Sequence, residues 1–462
     1  VSRDLSSRPP EAADIAEAEA FLAAHPETIA FDLVLIDLNG IARGKIIRRH
    51  ELLPIFRSGR HLPGSILGLD VTGEDVEETG LVWSDGDADR RAWPIAGSLV
   101  PLPWTSPPRG ELRLALFELD GTPMAADPRH ALARQVKLLE ADGFHPVLAY
   151  ELEFYLLDRE RTADGNFQPL RLPLSGERPD GIQVYGVTEL DRLEPFIDAV
   201  YRGAEAQGLP VETMISEYAQ GQFELTLRHG AALRAADDLT MLKRLLRGLA
   251  VRHGMMACFM AKPFAGRAGS GMHVHASLAD SEGKNRFADA GDALSPLLKH
   301  AVAGLLETMH ESMLVFAPHS NSWRRFSAQS YAPTTPTWGT NNRSVAVRIP
   351  AGSPTGRHLE QRAAGIDSNP YLVGATVLAG MRKGMLDQAD PGPETTAYAD
   401  NAGDELPPDW RSAIETAARS TFLKEALGER LHHVLLALKH AEYRRFAAEV
   451  TALERTLYGE VV

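Results

Sequence analysis

Five stretches far apart in this chain set acidic, basic or imidazole side chains at every second position, opposite an apolar row. In VLAYELEFYLLD, Glu151, Glu153 and Tyr155 share one side against Leu152, Phe154 and Leu156. PVETMISEYAQGQFELTL carries Glu217, then Gln222, Glu224 and Thr226 opposite Phe223, Leu225 and Leu227. KPFAGRAGSGMHVHASL passes through a glycine-rich bend into His273, His275 and Ser277, with Val274, Ala276 and Leu278 behind them. NNRSVAVRIP places Ser344, Ala346 and Arg348 together, and His358, Glu360 and Arg362 repeat the spacing. A period of two is a strand with unlike faces. One such strand is ordinary, because half-exposed sheets look like this; five predict a sheet whose second face lines a charged cavity.

Glu151, Glu153, Glu217, Glu224 and Glu360 in one cavity would repel one another severely without cations among them. Oxygen-rich ligation with an imidazole suits Mg2+ or Mn2+ far better than Zn2+. Arg325, Arg343, Arg348 and Arg362 would grip phosphate or carboxylate through forked hydrogen bonds. Glutamates, a hard divalent cation and arginines together read as phosphoryl transfer from a nucleotide. Plainer readings stand beside these: His275 as a cross-strand hydrogen-bond partner, and Arg348 as the ion-pair partner of a carboxylate. No GxxxxGK[ST] loop, strand-following GxGxxG or HExxH occurs, which disfavours a P-loop protein or a generic kinase.

The elements that must position these side chains follow from periodicity. Helical spacing predicts helices over Glu11–Ala24, Pro128–Asp142, Asp191–Gln207, Asp237–His253 and Leu294–Ser312, with a mostly helical stretch from Asn369 onward. Phe31–Arg49 reads as two strands turned at Asn39-Gly40. The Pro- and Gly-rich run Asp85–Gly110 is the expected domain boundary. The chain then divides into a polar and helical segment 1–25, a small domain 26–110 and a large domain 111–462.

A length of 462 residues fits two or more domains. The net charge of −14 argues against a nucleic-acid partner. Cys258 is the only cysteine, so neither an intramolecular disulfide nor a thiolate zinc cluster can form. The first twenty residues lack the apolar core of a secretory signal and no run reaches the length of a membrane span, so a cytoplasmic protein is expected.

The same blocks, YELEFYL, SEYAQGQFEL, KPFAGRAGSGMHVHAS, NSWRR, NNRSVAVRIP and LEQRAAGIDSNPYL, resemble those of glutamine synthetases, in the same order and over nearly the whole chain. The resemblance implies an α+β fold: a β-grasp-like N-terminal domain, then a catalytic domain with an antiparallel, partly open β-barrel wrapped by helices. It implies two Mg2+ or Mn2+ sites, one held by Glu153, Glu217 and Glu224 and the other by Glu151, His273 and Glu360. It assigns ATP contacts to His275, Ser277, Arg343, Arg348 and Arg357, and the glutamate pocket to Gly269, Arg325 and Arg362. The catalytic arginines would be Arg343, Arg348 and Arg325. It further implies self-association into rings, two stacked hexamers, with active sites between subunits.

Two departures bear on the amine. Tyr331 stands where glutamine synthetases carry a glutamate that binds ammonium, and LPGSILGLD (Leu62–Asp70) replaces the DGSS segment whose aspartate completes that site. Ammonium has no apolar body and needs a charged cage, so their loss favours a larger amine at Tyr331. The expectation is an ATP-dependent ligase of the γ-glutamylpolyamine (γ-glutamylputrescine) synthetase branch, serving polyamine catabolism. Glutamine synthesis, with Asp70 or Glu74 serving ammonium, γ-glutamylation of ethanolamine, and a non-catalytic structural role are the alternatives. Three smaller departures are Ala268 for an asparagine, His358 beside Arg357 at an expected phosphate-binding arginine, and Tyr398 as a poor match to an adenylylation tyrosine.

Overall fold

The computed structural model describes residues 8–84, 86–179, 181–288, 293–327, 330–399 and 405–462. Residues 1–7 of the expected N-terminal segment, Asp85 of the expected boundary, and residues 400 and 401 of the stretch Pro391–Asn401, where Tyr398 is the poor match to an adenylylation tyrosine, lie outside the described residues.

The first sheet has six strands: β1 (Ala30–Ile36), β2 (Ala42–Arg48), β3 (Arg60–Pro63), β4 (Asp89–Pro94), β5 (Val100–Pro101) and β6 (Arg109–Phe117). Their order is β2-β1-β6-β4-β3 with β5 on β6, and β1 and β6 run parallel. The turn between β1 and β2 is built as the Asn-Gly pair predicts. Asp37 Oδ1 accepts from the Asn39 and Ile41 amides at 2.9 and 2.8 Å, and Gly40 takes φ +73°. The boundary expected at Gly110 falls inside β6. The Pro- and Gly-rich run is not a linker; it holds the short strands β4 and β5, and the sheet ends only after Phe117.

The second sheet has nine strands: β7 (His145–Asp158), β8 (Val211–Ser216), β9 (Gln222–Leu227), β10 (Gly230–Ala231), β11 (Met255–Cys258), β12 (Met272–Ala279), β13 (Trp338–Thr340), β14 (Val347–Ile349) and β15 (Leu359–Gln361). Its main path, β13-β14-β15-β12-β7-β9-β8, curls without closing. Along β7 the apolar row Leu148, Tyr150, Leu152 and Phe154 is fully buried, and the helices pack behind it. Burying four such side chains supplies on the order of 6–12 kcal/mol before entropy is counted. Glu151 and Glu153 necessarily project from the other face.

Local chemistry sets the helix starts. Asp127 accepts from the Arg129 amide with Pro128 at the first position of Pro128–Ala141, and Asn369 caps Pro370–Asp387 in the same way. Helix Ala232–Arg252 begins earlier than its apolar stripe predicts, and the expected Leu294–Ser312 helix is two, Pro296–Glu307 and Met309–Phe316. The Asp191–Gln207 prediction is met by Glu194–Ala206 after a short turn, Val187–Asp191. Asn341–Pro350 yields only three strand residues. Asn341 is left-handed at φ +51° and the Asn342 side chain accepts from the Ser344 amide at 3.0 Å, so a side-chain turn displaces the start of the strand. No helix among the described residues is long and apolar enough to cross a membrane.

Candidate active site

Strand register assembles the cluster. In the antiparallel ladders His273 lies opposite Glu151, Glu153 opposite Glu224, and His275 opposite Glu360, so all six side chains share the open face of the second sheet. Glu151 is the hub: its Oε2 lies 3.3 Å from His273 Nδ1 and its Oε1 lies 3.1 Å from His275 Nε2. His273 Nδ1 is also 3.5 Å from Glu360 Oε1, and its Nε2 is 3.9 Å from Glu153 Oε1. Potential ligand atoms of Glu151, Glu224 and His273 lie within 4.8 Å of one another, and so do those of Glu151, His275 and Glu360. Glu217 sits just beyond β8 at the cluster's rim, where its Oε2 accepts from the Tyr218 amide at 3.0 Å.

Two hollows back onto this cluster. The larger, about 780 Å3, is lined by Glu151, His275, Ser277, Asn285 and His358 among others. The smaller, about 430 Å3, is lined by Glu153, Glu217, His273, Gly269, Arg325, Arg362 and Tyr331 among others. Gly269 is required where it stands: a Cβ there would lie 2.6 Å from Arg325 Cγ. Arg325 is buried, and its two terminal nitrogens donate to the Ala363 and Arg362 carbonyls at 2.8 and 2.9 Å. Gln222 and Tyr155 hold the glycine-rich bend by donating to the Gly269 and Ala268 carbonyls at 2.9 and 2.6 Å.

The arginines divide. Arg348 donates to Glu360 Oε2 at 2.9 Å, the ion pair that was its plainer reading, and Arg362 pairs with the other oxygen of Glu360. Arg343 is exposed, and its charge acts on Glu217. Arg357, expected on the nucleotide, does not line the larger hollow; His358 does, and the Arg357 carbonyl accepts from Asn285 at 2.7 Å. Tyr331 is half exposed at the rim of the smaller hollow, beside Tyr218, which the sequence reading did not single out. Its only signal was its place directly after Glu217. Asp70 is committed to its own loop. Its Oδ1 accepts from the Thr72 and Glu74 amides at 2.7 and 3.1 Å, and its Oδ2 lies 3.1 Å from Arg445.

The electrostatics show what the cluster lacks. Burial, with added repulsion from Glu151, Glu153, Glu217 and Glu360, pushes the Glu224 carboxyl up to about 9. Burial and Glu153 push Glu217 up to about 7. Burial opposes the charge on Glu151 too, but the two imidazoles hold it well below the usual carboxylate range. Glu360 is likewise held at about 2 against burial, by Arg362 first and then the histidines. Carboxyls that must take up protons beside carboxylates that stay ionised are a donor set short of positive charge. Oxygen-rich with imidazole, it fits a hard divalent cation.

Residues 125–458 match the glutamine synthetase catalytic domain. The chain is 39% identical over 440 residues to gamma-glutamylputrescine synthetase PuuA of Escherichia coli, covering 95% of this chain and 93% of that one. It is 31% identical to a gamma-glutamylethanolamide synthetase of Streptomyces coelicolor, covering 91% and 90% of the two chains. Among solved structures it resembles the GmaS/ADP complex, conformation 1, with a TM-score of 0.82 at 28% identity, covering 95% and 98%. With likeness of this extent in both sequence and fold, the chain belongs to the glutamine synthetase family.

Proposed function

We propose that the chain is an ATP-dependent ligase joining the γ-carboxylate of L-glutamate to an organic amine, with putrescine or another polyamine as that amine. The observation that carries this reading is the pair of hollows lined by one carboxylate–imidazole cluster, the larger by Glu151 and His275 and the smaller by Glu153, Glu217 and His273, so that a nucleotide in one and an amino acid in the other would both border it. Similarity to a γ-glutamylputrescine synthetase supports the choice of amine.

In this reading Glu153, Glu217 and Glu224 would hold one Mg2+ or Mn2+, and Glu151, His273 and Glu360 the other. When bound, the ions would neutralise charge on the phosphate oxygens. His275 and Ser277 would contact the nucleotide in the larger hollow, while Gly269, Arg325 and Arg362 would orient glutamate in the smaller. A γ-carboxylate oxygen attacks the γ-phosphorus of ATP, the bond to the bridging oxygen breaks and ADP leaves. The amine nitrogen then attacks the acyl carbon of γ-glutamyl phosphate, loses a proton, and expels inorganic phosphate. Arg343, whose charge acts on Glu217, and Arg348, paired with Glu360, would stabilise the shifting phosphoryl charge, although neither lines the two hollows. The reading also carries a cytoplasmic setting and self-association into rings with sites between subunits.

Phosphate release with ATP, Mg2+ and L-glutamate, measured across ammonium, putrescine, spermidine and ethanolamine, tests it. The expected preference is for the di- and polyamines. Preference for ammonium would remove the polyamine assignment, and no release with any amine would remove the ligase. Tyr331→Glu restores an acid at the amine side, and a charge-assisted contact there is expected to move the ammonium-to-putrescine ratio of kcat/KM by about tenfold or more towards ammonium. An unchanged ratio would count against Tyr331 lying on the amine.

A further inference from the structure

The smaller hollow carries both signs of charge, Glu153 and Glu217 against Lys262, Arg267, Arg325 and Arg362, and Tyr218 and Tyr331 add an aromatic wall. Among its described lining residues the acids are Glu153 and Glu217, and both belong to the cluster already assigned to metal. No lining carboxylate is left over for a small cation. At the rim the rings of Tyr218 and Tyr331 lie with centroids 6.2 Å apart and planes tilted by 49°. They are 50% and 51% exposed, and both line the hollow. Both sit on anchored backbone. The Tyr218 amide donates to Glu217, and Ser330, next to Tyr331, accepts at its carbonyl from the Tyr398 hydroxyl at 3.0 Å.

We infer that Tyr218 and Tyr331 together form the amine subsite, a tilted aromatic wall that takes an unbranched α,ω-diamine. The inference rests on the ligase reading. The reacting nitrogen points inward toward the glutamate side of the hollow, at Arg325 and Glu217. The methylenes lie across the rings, and the distal ammonium faces their π surfaces at the rim, where it keeps part of its water. A simple ammonium ion reaches neither ring, and an alkylamine without a distal charge gains only the methylene contact. The net charge of −14 favours approach of a dication. Tyr218 is thus a specificity residue on a segment whose neighbouring glutamate serves the metal.

The test uses the full chain with ATP, Mg2+ and L-glutamate. Hydroxylamine traps γ-glutamyl phosphate as a hydroxamate without needing a carbon body, so it reads the ligase reaction by itself. Its failure in the unaltered protein overturns the ligase reading and this inference with it. With hydroxamate formed, KM is compared for putrescine and n-butylamine in the unaltered protein, Tyr218→Ala and Tyr218→Phe. The expected result is a lower KM for putrescine than for butylamine, a rise of about tenfold in the putrescine KM of Tyr218→Ala, and recovery of most of that rise in Tyr218→Phe. The glutamate KM should move by less than about twofold, because a Kd shift of that size is under 0.5 kcal/mol. If Tyr218→Ala does not fold, Tyr218→Leu, which keeps apolar bulk without a π face, carries the same expectation for the distal charge. An unchanged putrescine KM, or a glutamate KM rising in parallel, overturns the aromatic subsite and leaves the ligase standing.

Discussion

Glu151→Gln is expected to lower kcat by about 10²–10³ while the protein stays folded. Glu151 touches both histidines of the cluster and belongs to both groups of side chains whose ligand atoms converge. The amide keeps the shape and removes the charge, so one oxygen becomes an N–H donor facing an imidazole. The ion assigned to Glu151, His273 and Glu360 would then lose one of its two anionic ligands, and His273 its charged neighbour. Folding should not suffer, because the metal-free site carries too much negative charge: Glu151 is among the groups that raise the Glu224 carboxyl. Phosphate release measures the loss, and thermal unfolding of the metal-free proteins supplies the control. Turnover within tenfold of the unaltered enzyme would remove Glu151 from the centre of the site.

Metal removal should couple stability to pH with a definite sign. The Glu224 carboxyl is raised from 4.5 to about 9, and that of Glu217 from 4.5 to about 7, with burial the leading cause for both. The unfolded chain releases these protons near the ordinary value, while the folded chain keeps them. Stability is therefore lost as pH rises from the unfolded value towards the folded ones, at up to about 1.4 kcal/mol per pH unit for each group. The metal-free protein should melt about 5 °C or more lower at pH about 9 than at pH about 6. Divalent cations reverse the penalty, because coordinating carboxylates must be ionised and binding expels their protons. The gain in Tm on adding Mg2+ should then be larger at the higher pH, and Glu224→Gln should flatten the metal-free slope. A metal-free Tm that climbs through this window, or an Mg2+ gain that ignores pH, would contradict the charge account.

The chemistry-bearing strands were legible because a period of two needs no knowledge of partners. ELEF and MHVHAS each declare which residues share a face. Register is what such runs do not declare. That His273 opposes Glu151 and His275 opposes Glu360 depends on long-range pairing of β7, β12 and β15, separated in sequence by 113 and 79 residues. The boundary at Gly110 failed for a related reason. Pro and Gly punctuate turns, but β4 and β5 are short strands that tolerate them, and only pairing with β6 reveals them as strands. Arg357 and His358 stand side by side where one phosphate-binding arginine is expected, and only folding puts His358, not Arg357, on the larger hollow. Tyr218 was missed because a single exposed aromatic beside a glutamate carries no signal until a second ring, Tyr331, comes within 6.2 Å of it.

The proposed reaction needs two divalent ions held by side chains from distant parts of the chain, and counting the ions the protein takes up tests it most directly. Free Mn2+ followed by its paramagnetic resonance during titration reports stoichiometry without any need for turnover. Two ions per chain are predicted for the unaltered protein, with fewer than two for Glu151→Gln and with protons released as they bind. No uptake at millimolar Mn2+, or equal uptake by the unaltered chain and Glu151→Gln, would contradict it.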